Sequence, residues 1–332
     1  MTDGIHVPVL LDEAVAALAI KPAGVYVDAT FGRGGHARAI LAKLAPSGSL
    51  VGIDRDPAAE AAAEVLGRAD ARFVFRRAWF SELGEVLAGL ALAKVDGVLL
   101  DLGISSPQID DATRGFSFRH DGPLDMRMDP SRGESAADFL ARATVRELTE
   151  VLRDYGEERS APSIARAVAA ARAHEPIQGT RQLAALVAQA IGARTRGDWR
   201  QDPATRTFQA LRIFVNRELS EVTQALPVVV AALAAEGRMA VISFHSLEDR
   251  IVKRFLARAS KPYAGDPALA RLAIRTDALP GAPLELVGRA VKPSAPEIAR
   301  NPRARSAVMR VAMRTSHALP ADWPRGYAEA AA

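Results

Sequence analysis

One stretch of the chain, residues 25–36, constrains its fold more than any other. It begins with the apolar run VYV, reaches an acid at Asp28 and continues into the glycine-rich segment FGRGGH. A helical pattern follows, because apolar residues recur at positions 37, 40, 41 and 44. A strand, a glycine turn and a helix in this order open the nucleotide-type site of an open α/β sheet. Glycine lets the backbone approach a ligand closely there.

The next predicted strand, SLVGID, also ends in an acid, Asp54. Asp54 follows Gly32 by 22 positions, and an acid about 20 residues after such a turn is placed to accept hydrogen bonds from ribose hydroxyls. The ligand is therefore expected to contain adenosine. The letters GRGGHA at residues 32–37 also satisfy the dinucleotide pattern G-x-G-x-x-A, so a nicotinamide cofactor stays open at this point. Asp28, however, suits a cationic amine or sulfonium better than a pyrophosphate.

A third acid, Asp101, ends the fourth predicted strand, VDGVLLD. Ligands of open α/β sheets bind outside the carboxyl ends of the strands. Asp28, Asp54 and Asp101 are therefore expected to face one crevice. Just after the third predicted strand, Phe80 or Trp79 is placed to lie against an adenine ring, although packing in the core would explain either aromatic equally well.

The composition excludes several kinds of chemistry. The chain has no cysteine, which rules out disulfides, thiolate catalysis and cysteine-ligated zinc and is typical of a reducing compartment. Its six histidines are scattered without metal-binding spacing, so no metal is expected. The amino terminus does not look like a signal peptide, and no apolar run approaches the ~18 residues of a membrane helix. A cytoplasmic location without membrane contact is expected.

The length of 332 residues suggests two domains. Three consecutive helical patterns without an intervening strand fill residues 136–202, and the first begins at a capping box, Thr144 to Glu147. This segment is predicted to be an inserted helical domain that binds substrate. The flanking segments, residues 1–135 and 203–332, are predicted to form the two parts of the catalytic domain. One long helix is predicted over residues 204–226.

Positive charge is concentrated in two stretches of the chain. Between Lys253 and Arg314 there are 13 lysines and arginines against four acids, and between Arg194 and Arg217 there are six arginines against two acids. Such asymmetry favours a polyanionic partner such as nucleic acid. A solvated basic surface without a partner explains either stretch about as well.

Together these features are typical of a class I S-adenosylmethionine-dependent methyltransferase, and longer motifs narrow the resemblance. The chain closely resembles the bacterial 16S ribosomal RNA cytosine-N4 methyltransferases, the MraW type, over nearly its whole length. The motifs that carry this resemblance are FGRGGH, DLGISSPQ, GFSF, GPLDMRMD and SFHSLEDR.

The resemblance implies a Rossmann-like seven-stranded α/β sheet with an all-helical insertion, and S-adenosyl-L-methionine as cofactor. It implies N4-methylation of a cytidine in the decoding centre of 16S ribosomal RNA. The expected partner is an assembled or partly assembled small ribosomal subunit, and a homodimer is compatible with it. The cofactor-binding residues that it implies are Gly34, Gly35, His36, Asp54, Phe80, Asp101 and Gln108.

The sequence identifies the catalytic group less directly than the cofactor site. The protein must activate the amine, because the N4 lone pair of cytosine is delocalised into the ring and is a poor nucleophile. Many amino-methyltransferases hold the amine with a D/N/S-P-P-Y motif after the fourth strand, whereas this chain has SSPQ at residues 105–108, without an aromatic. We expect Asp101 or Ser106 to polarise the amine, with Asp125 as a third candidate. Phe116 or Phe118 could stack on the base or anchor their loop in the core.

Three other functions remain compatible with parts of the sequence. The literal G-x-G-x-x-A allows a nicotinamide-dependent oxidoreductase, which mixing with NADH or NADPH and reading fluorescence would reveal. A non-catalytic RNA-binding assembly factor is disfavoured by the complete set of acids at the strand ends. A methyltransferase acting on protein or a small molecule is disfavoured by the basic stretches.

Overall fold

The computed structural model describes residues 8–192, 202–261 and 281–321, together with residues 323, 324 and 327. The chain forms two compact units. The first comprises Met1–Gly103 and Leu219–Ala332, and the second comprises Ile104–Glu218.

The first unit contains a seven-stranded sheet with the strand order β3-β2-β1-β4-β5-β7-β6. Strands β1 to β5 pair in parallel, and β7 pairs antiparallel with both β5 and β6. The strand order reverses between β1 and β4, which is the position where open α/β sheets bind ligands. The predicted class I, Rossmann-like fold is confirmed. The strands are β1 Val25–Asp28, β2 Ser49–Asp54, β3 Phe73–Arg77, β4 Val95–Asp101, β5 Leu233–Ser243, β6 Leu284–Leu286 and β7 Val308–Arg314.

Both faces of this sheet are buried, because successive residues of a strand point to opposite faces and these strands are apolar almost throughout. Val27 and Leu100 belong to a core on one face, and Tyr26 and Leu99 to a core on the other. Helices cover each face. The helices of this unit are α1 Leu11–Ala17, α2 Gly35–Leu41, α3 Ala58–Ala69, α4 Leu83–Gly89, α11 Glu218–Ala232 (from Leu219), α12 Ser246–Ser260 and α13 Ala295–Arg300.

The second unit is helical and has a core of its own. Its α7 begins at the predicted capping box, where Thr144 accepts the backbone N–H of Glu147. The unit reaches from Ile104 to Glu218, whereas the sequence places the limits of the helical segment at residues 136 and 202. The unit is wider because Leu124 and Phe208, outside those limits, pack in the same core. Its helices are α5 Ser106–Asp110, α6 Ala136–Arg142, α7 Val145–Gly156, α8 Ala161–Arg172, α9 Thr180–Gly192 and α10 Thr205–Val215.

The prediction of one helix over residues 204–226 is wrong. Helix α10 ends at Val215 and α11 begins at Glu218. Arg217 between them has a φ of +50°, and the Asn216 side chain bonds to other backbone groups, donating to Met126 O at 2.6 Å and accepting from Met128 N at 2.7 Å. Helical periodicity continues across the break and therefore conceals it.

Parts of two sequence predictions lie outside the described residues. They are residues 194–201 of the first basic stretch and residues 262–280 of the second. Among the helices that the structure describes, none combines the length and apolar character needed to cross a membrane.

Candidate active site

The turn after β1 has a backbone conformation that glycine adopts more readily than any other residue. Gly32 and Gly34 have φ angles of +53° and +73°, in the left-handed region. A Cβ atom on Gly34 would lie 2.7 Å from the Phe31 ring, and one on Gly35 would lie 2.2 Å from Cγ of Pro8. A side chain at either position would therefore displace its neighbours. Helix α2 begins at Gly35.

Asp54 ends β2 and holds this turn through its carboxylate. Its Oδ2 accepts the backbone N–H of Gly32 at 2.7 Å, and its Oδ1 accepts the backbone N–H of Asp56 at 2.8 Å. Burial raises the pKa of Asp54, and these two backbone donors oppose the rise. Because each carboxylate oxygen can accept more than one hydrogen bond, Asp54 retains capacity for a ribose hydroxyl.

Asp28 and Asp101 end the neighbouring strands β1 and β4, on the two sides of the point where the strand order reverses. Asp28 is only 1% exposed. Asp28 Oδ2 and Asp101 Oδ1 are both buried and have no hydrogen-bond partner among the described residues. The remaining oxygen of Asp101, Oδ2, lies 3.7 Å from Nδ1 of the buried His36. The structure thus places two incompletely satisfied carboxyl groups at the predicted crevice.

The carboxyl groups of this cluster resist ionisation. Burial raises the pKa of Asp28 to about 7, and the nearby charge of Asp54 adds to the rise. Burial also raises the pKa of Asp101 well above its ordinary value, and the charges of Asp28 and Glu248 act in the same direction. An opposite charge nearby favours the ionised form. The cluster is therefore suited to a ligand that brings positive charge.

Glu248 is a member of this site that the motif-based prediction omits. It is 1% exposed on α12, and its Oε2 accepts the backbone N–H of Phe244 at 2.8 Å. His245 caps the same helix by accepting the backbone N–H of Glu248 at 3.4 Å. The signal that could reveal Glu248 is its position three residues after His245, which is the spacing of a capping pair.

The two aromatics after β3 have different surroundings. The Arg55 guanidinium lies over the Trp79 ring, 4.5 Å from its centroid. Phe80 begins a short 3₁₀ turn, Phe80–Glu82, and packs partly buried against the core beside β2 and β4. One face of Trp79 is therefore already covered by Arg55. Phe80 stays the predicted adenine neighbour.

Ser106 and Gln108 belong to the second unit, where they begin α5. Both are buried, and the backbone N–H of Ser105 donates to Gln108 Oε1 at 2.8 Å in a capping box. The third candidate, Asp125, forms an ion pair with Arg127, with Oδ2 2.6 Å from Nη2. Burial raises the pKa of Asp125, but the hydrogen bonds and positive charge of Arg127 outweigh that effect, so the pKa is lowered overall.

Phe116 and Phe118 anchor their loop in the core of the second unit. Phe116 is 7% exposed, and the Phe118 ring lies 4.8 Å from the Phe208 ring in an edge-to-face arrangement. Of the two alternatives that the sequence leaves open, this conformation favours anchoring over base stacking.

The family profile and the relatives that match this sequence all belong to one protein family. The profile of the MraW methylase family matches residues 3–315. Ribosomal RNA small subunit methyltransferase H of Thiobacillus denitrificans is 60% identical over 94% of this chain and 98% of its own length. The protein of the same name from Neisseria gonorrhoeae is 56% identical over 95% of this chain and 97% of its own. A solved structure described as a putative rRNA methylase of Clostridium thermocellum is 9% identical, covers 95% of this chain and all of its own, and gives a TM-score of 0.42.

Proposed function

Because the chain belongs to the MraW methylase family and is therefore a methyltransferase, we propose that it transfers a methyl group from S-adenosyl-L-methionine to N4 of a cytidine in the decoding centre of 16S ribosomal RNA. The names of its relatives, ribosomal RNA small subunit methyltransferase, support ribosomal RNA as the substrate. Such a substrate also favours a cytoplasmic location. The observation that carries the proposal within the structure is the pair of buried, unpartnered carboxylate oxygens of Asp28 and Asp101 where the strand order reverses.

The residues at the strand ends fit this cofactor. S-adenosyl-L-methionine supplies a methyl group already activated on a cationic sulfonium, and its methionine part carries an ammonium group. The unpartnered oxygens of Asp28 and Asp101 provide the acceptors and negative charge that such a cation needs. Asp54 would hold the ribose, and Phe80 would lie beside the adenine. The turn at Gly34, Gly35 and His36 would let the cofactor approach the backbone closely, and the family resemblance adds Gln108 to the proposed cofactor contacts.

Asp101 is the residue that we propose to act on the cytosine amine. Its carboxylate would accept a hydrogen bond from N4–H and so direct the nitrogen lone pair toward the methyl group. Transfer would form the new C–N bond, break the bond between the methyl group and sulfur, and release S-adenosylhomocysteine. N4 would become more acidic in this step, and Asp101 would take the proton that leaves. His36, with Nδ1 3.7 Å from Asp101 Oδ2, would hold the carboxylate in position before the proton moves. Ser106 is the alternative acceptor for the same hydrogen bond.

The RNA must present an unstacked base, because a cytosine inside a helix cannot place N4 in a crevice. The solvent side of α12 is basic and would hold phosphates near the site. Arg250, Lys253, Arg254 and Arg258 are all exposed along this helix. Exposed arginines at residues 289, 300, 303 and 305 extend the basic character of the first unit. We propose that the second unit, Ile104–Glu218, binds further RNA.

The experiment that tests the function is methyl transfer from labelled S-adenosyl-L-methionine to small ribosomal subunits purified from cells lacking this gene. Nucleoside analysis of the RNA should give labelled N4-methylcytidine. Naked 16S ribosomal RNA, tested in parallel, separates RNA from the assembled particle as substrate. Label in another nucleoside would refute the N4-cytidine assignment. Label in protein instead of RNA would refute the substrate class while leaving the cofactor assignment intact.

A further inference from the structure

The chain holds a buried carboxylate, Glu221, that the proposed reaction does not use. Glu221 lies near the beginning of α11 and is 7% exposed. Its Oε2 is buried and has no hydrogen-bond partner among the described residues. A buried polar atom left without a partner is destabilising, so a donor supplied by a ligand would stabilise this arrangement.

The neighbours of Glu221 place it beside two segments of the cofactor crevice. Ser81 hydrogen-bonds to the Glu221 carboxylate through both its side chain and its backbone, and the charge of Arg55 acts on the same group. Ser81 directly follows Phe80, and Arg55 directly follows Asp54. Glu221 therefore lies next to the ends of β2 and β3, where the ribose and the adenine are proposed to bind.

An adenine ring at this position would need an acceptor for its exocyclic N6 amine. The segment RRAWFS, residues 76–81, contains no acidic side chain. The next acid, Glu82, already accepts the backbone N–H of Trp79 at 2.8 Å. Asp54 accepts two backbone N–H groups and is assigned to the ribose. Glu221 differs from these two acids because its buried Oε2 has no hydrogen-bond partner among the described residues, and Ser81, which contacts its carboxylate, directly follows Phe80.

We propose that Glu221 accepts a hydrogen bond from the N6 amine of the cofactor's adenine and thereby selects adenine over bases that lack this amine. The inference rests on the proposed use of S-adenosyl-L-methionine and deepens it. A base with a carbonyl oxygen at position 6 would face the Glu221 carboxylate with an acceptor. Two acceptors without a proton between them repel, and the buried Oε2 of Glu221 would remain without a hydrogen bond.

The test compares two ligands that differ at this atom, S-adenosylhomocysteine and S-inosylhomocysteine, by titration calorimetry on the full chain. Wild-type protein should bind the adenosyl ligand at least ten times more tightly than the inosyl ligand. Glu221→Gln keeps the shape of the side chain but can turn an amide N–H toward the position-6 oxygen of hypoxanthine. In this variant the preference should fall at least tenfold or reverse. Glu85→Gln, an exposed change on α4, is the matched control and should keep the wild-type ratio.

The outcomes separate this inference from the proposed function. If wild-type protein binds both ligands equally, or if Glu221→Gln keeps the wild-type ratio, Glu221 does not read the amine and the inference is wrong. If wild-type protein binds neither ligand, the cofactor assignment itself fails. Because the wild-type comparison alone can refute the inference, the test does not depend on whether Glu221→Gln folds.

Discussion

The backbone N–H of Gly32 donates a hydrogen bond of 2.7 Å to Oδ2 of Asp54, 22 residues later in the chain. This bond joins the glycine turn after β1 to the end of β2, so the predicted ribose acceptor also fixes the shape of the turn. The two oxygens of Asp54 have separate backbone donors, because Oδ1 accepts from Asp56. Structure and ligand binding are therefore expected to depend on the same carboxylate.

Replacing Asp54 by asparagine should weaken the turn and the cofactor site together. An amide has a single acceptor oxygen, so one of the two backbone donors would face an NH₂ group. We expect about 1–3 kcal/mol of destabilisation and at least a tenfold loss of affinity for S-adenosylhomocysteine. Urea unfolding and calorimetry measure the two effects. The control Glu85→Gln changes an exposed carboxylate on α4 and should alter neither. Unchanged affinity in Asp54→Asn would contradict the ribose assignment.

A methyl group at Gly34 should be poorly tolerated. The added Cβ would lie 2.7 Å from Phe31, whose ring stacks on Phe73 at 5.1 Å, and the φ of +73° would strain the backbone. We expect Gly34→Ala to destabilise the protein by about 1–2 kcal/mol and to weaken cofactor binding. Gly67→Ala in α3 is the matched control. The nearest atom to its new Cβ is 3.9 Å away, so it should stabilise by up to about 1 kcal/mol. Equal melting temperatures for the two variants would refute this prediction.

The sheet of the first unit is predictable from sequence because its signals are local. Strands β1, β2 and β4 begin and end where their apolar runs and terminal acids indicate. Their ends fix the positions of Asp28, Asp54 and Asp101, since parallel strands present their carboxyl ends at one edge of a sheet. The part of the site that depends on this topology therefore follows from short segments of the chain.

Other features depend on partners far apart in sequence, which a local pattern does not reveal. The break between α10 and α11 requires Asn216 to bond with Met126 and Met128, about 90 residues earlier. Glu221 is similar, because it contacts Ser81, which precedes it by 140 residues in the sequence. Periodicity reports which face of a helix is apolar, and it gives no information about a polar side chain satisfied by a distant backbone.

The stability of the protein should fall with pH through the titration of Asp28. The folded protein holds the Asp28 proton up to a pKa of about 7, whereas the unfolded chain releases it near the ordinary value of about 3.9. The folded state therefore binds more protons between these values. The stabilisation by this proton is complete below about pH 4 and is lost as the pH rises through 7. At about 1.4 kcal/mol per pKa unit, the loss approaches about 4 kcal/mol.

Asp28→Asn isolates this effect, because asparagine resembles the protonated carboxyl group and does not titrate. Urea unfolding at several pH values should show the free energy of wild type falling relative to Asp28→Asn between pH 4 and 8. Asp12→Asn, an exposed change on α1, should follow the wild-type curve. Parallel curves for wild type and Asp28→Asn would mean that Asp28 does not carry a proton in the folded state.

The basic side of α12 should contribute to RNA affinity through phosphate contacts. Lys253 is exposed on this helix within the second basic stretch. Removing one such contact should reduce the slope of log affinity against log salt by about 0.7–0.9. We expect this reduction for Lys253→Ala, measured by filter binding to 16S ribosomal RNA at several salt concentrations. Lys43→Ala, which removes the same charge just after α2, should keep the wild-type slope. Equal slopes for both variants would exclude Lys253 from the RNA surface.

The substitution Asp101→Asn should lower the rate of methyl transfer without lowering the stability of the fold. Asp101 is a buried acid whose charged form is disfavoured by its burial and by Asp28 and Glu248, so Asp101→Asn should melt at or above the wild-type temperature at pH 8. Its amide cannot take the amine proton, and loss of a proton acceptor typically costs about 10²–10⁴ in rate. Single-turnover methyl transfer to small ribosomal subunits at saturating cofactor should show this loss, with affinity for S-adenosylhomocysteine reduced about tenfold or less. Ser106→Ala should lower the rate less than tenfold. If the serine variant is the slower of the two, the hydrogen bond to the amine comes from Ser106 and Asp101 serves the cofactor alone.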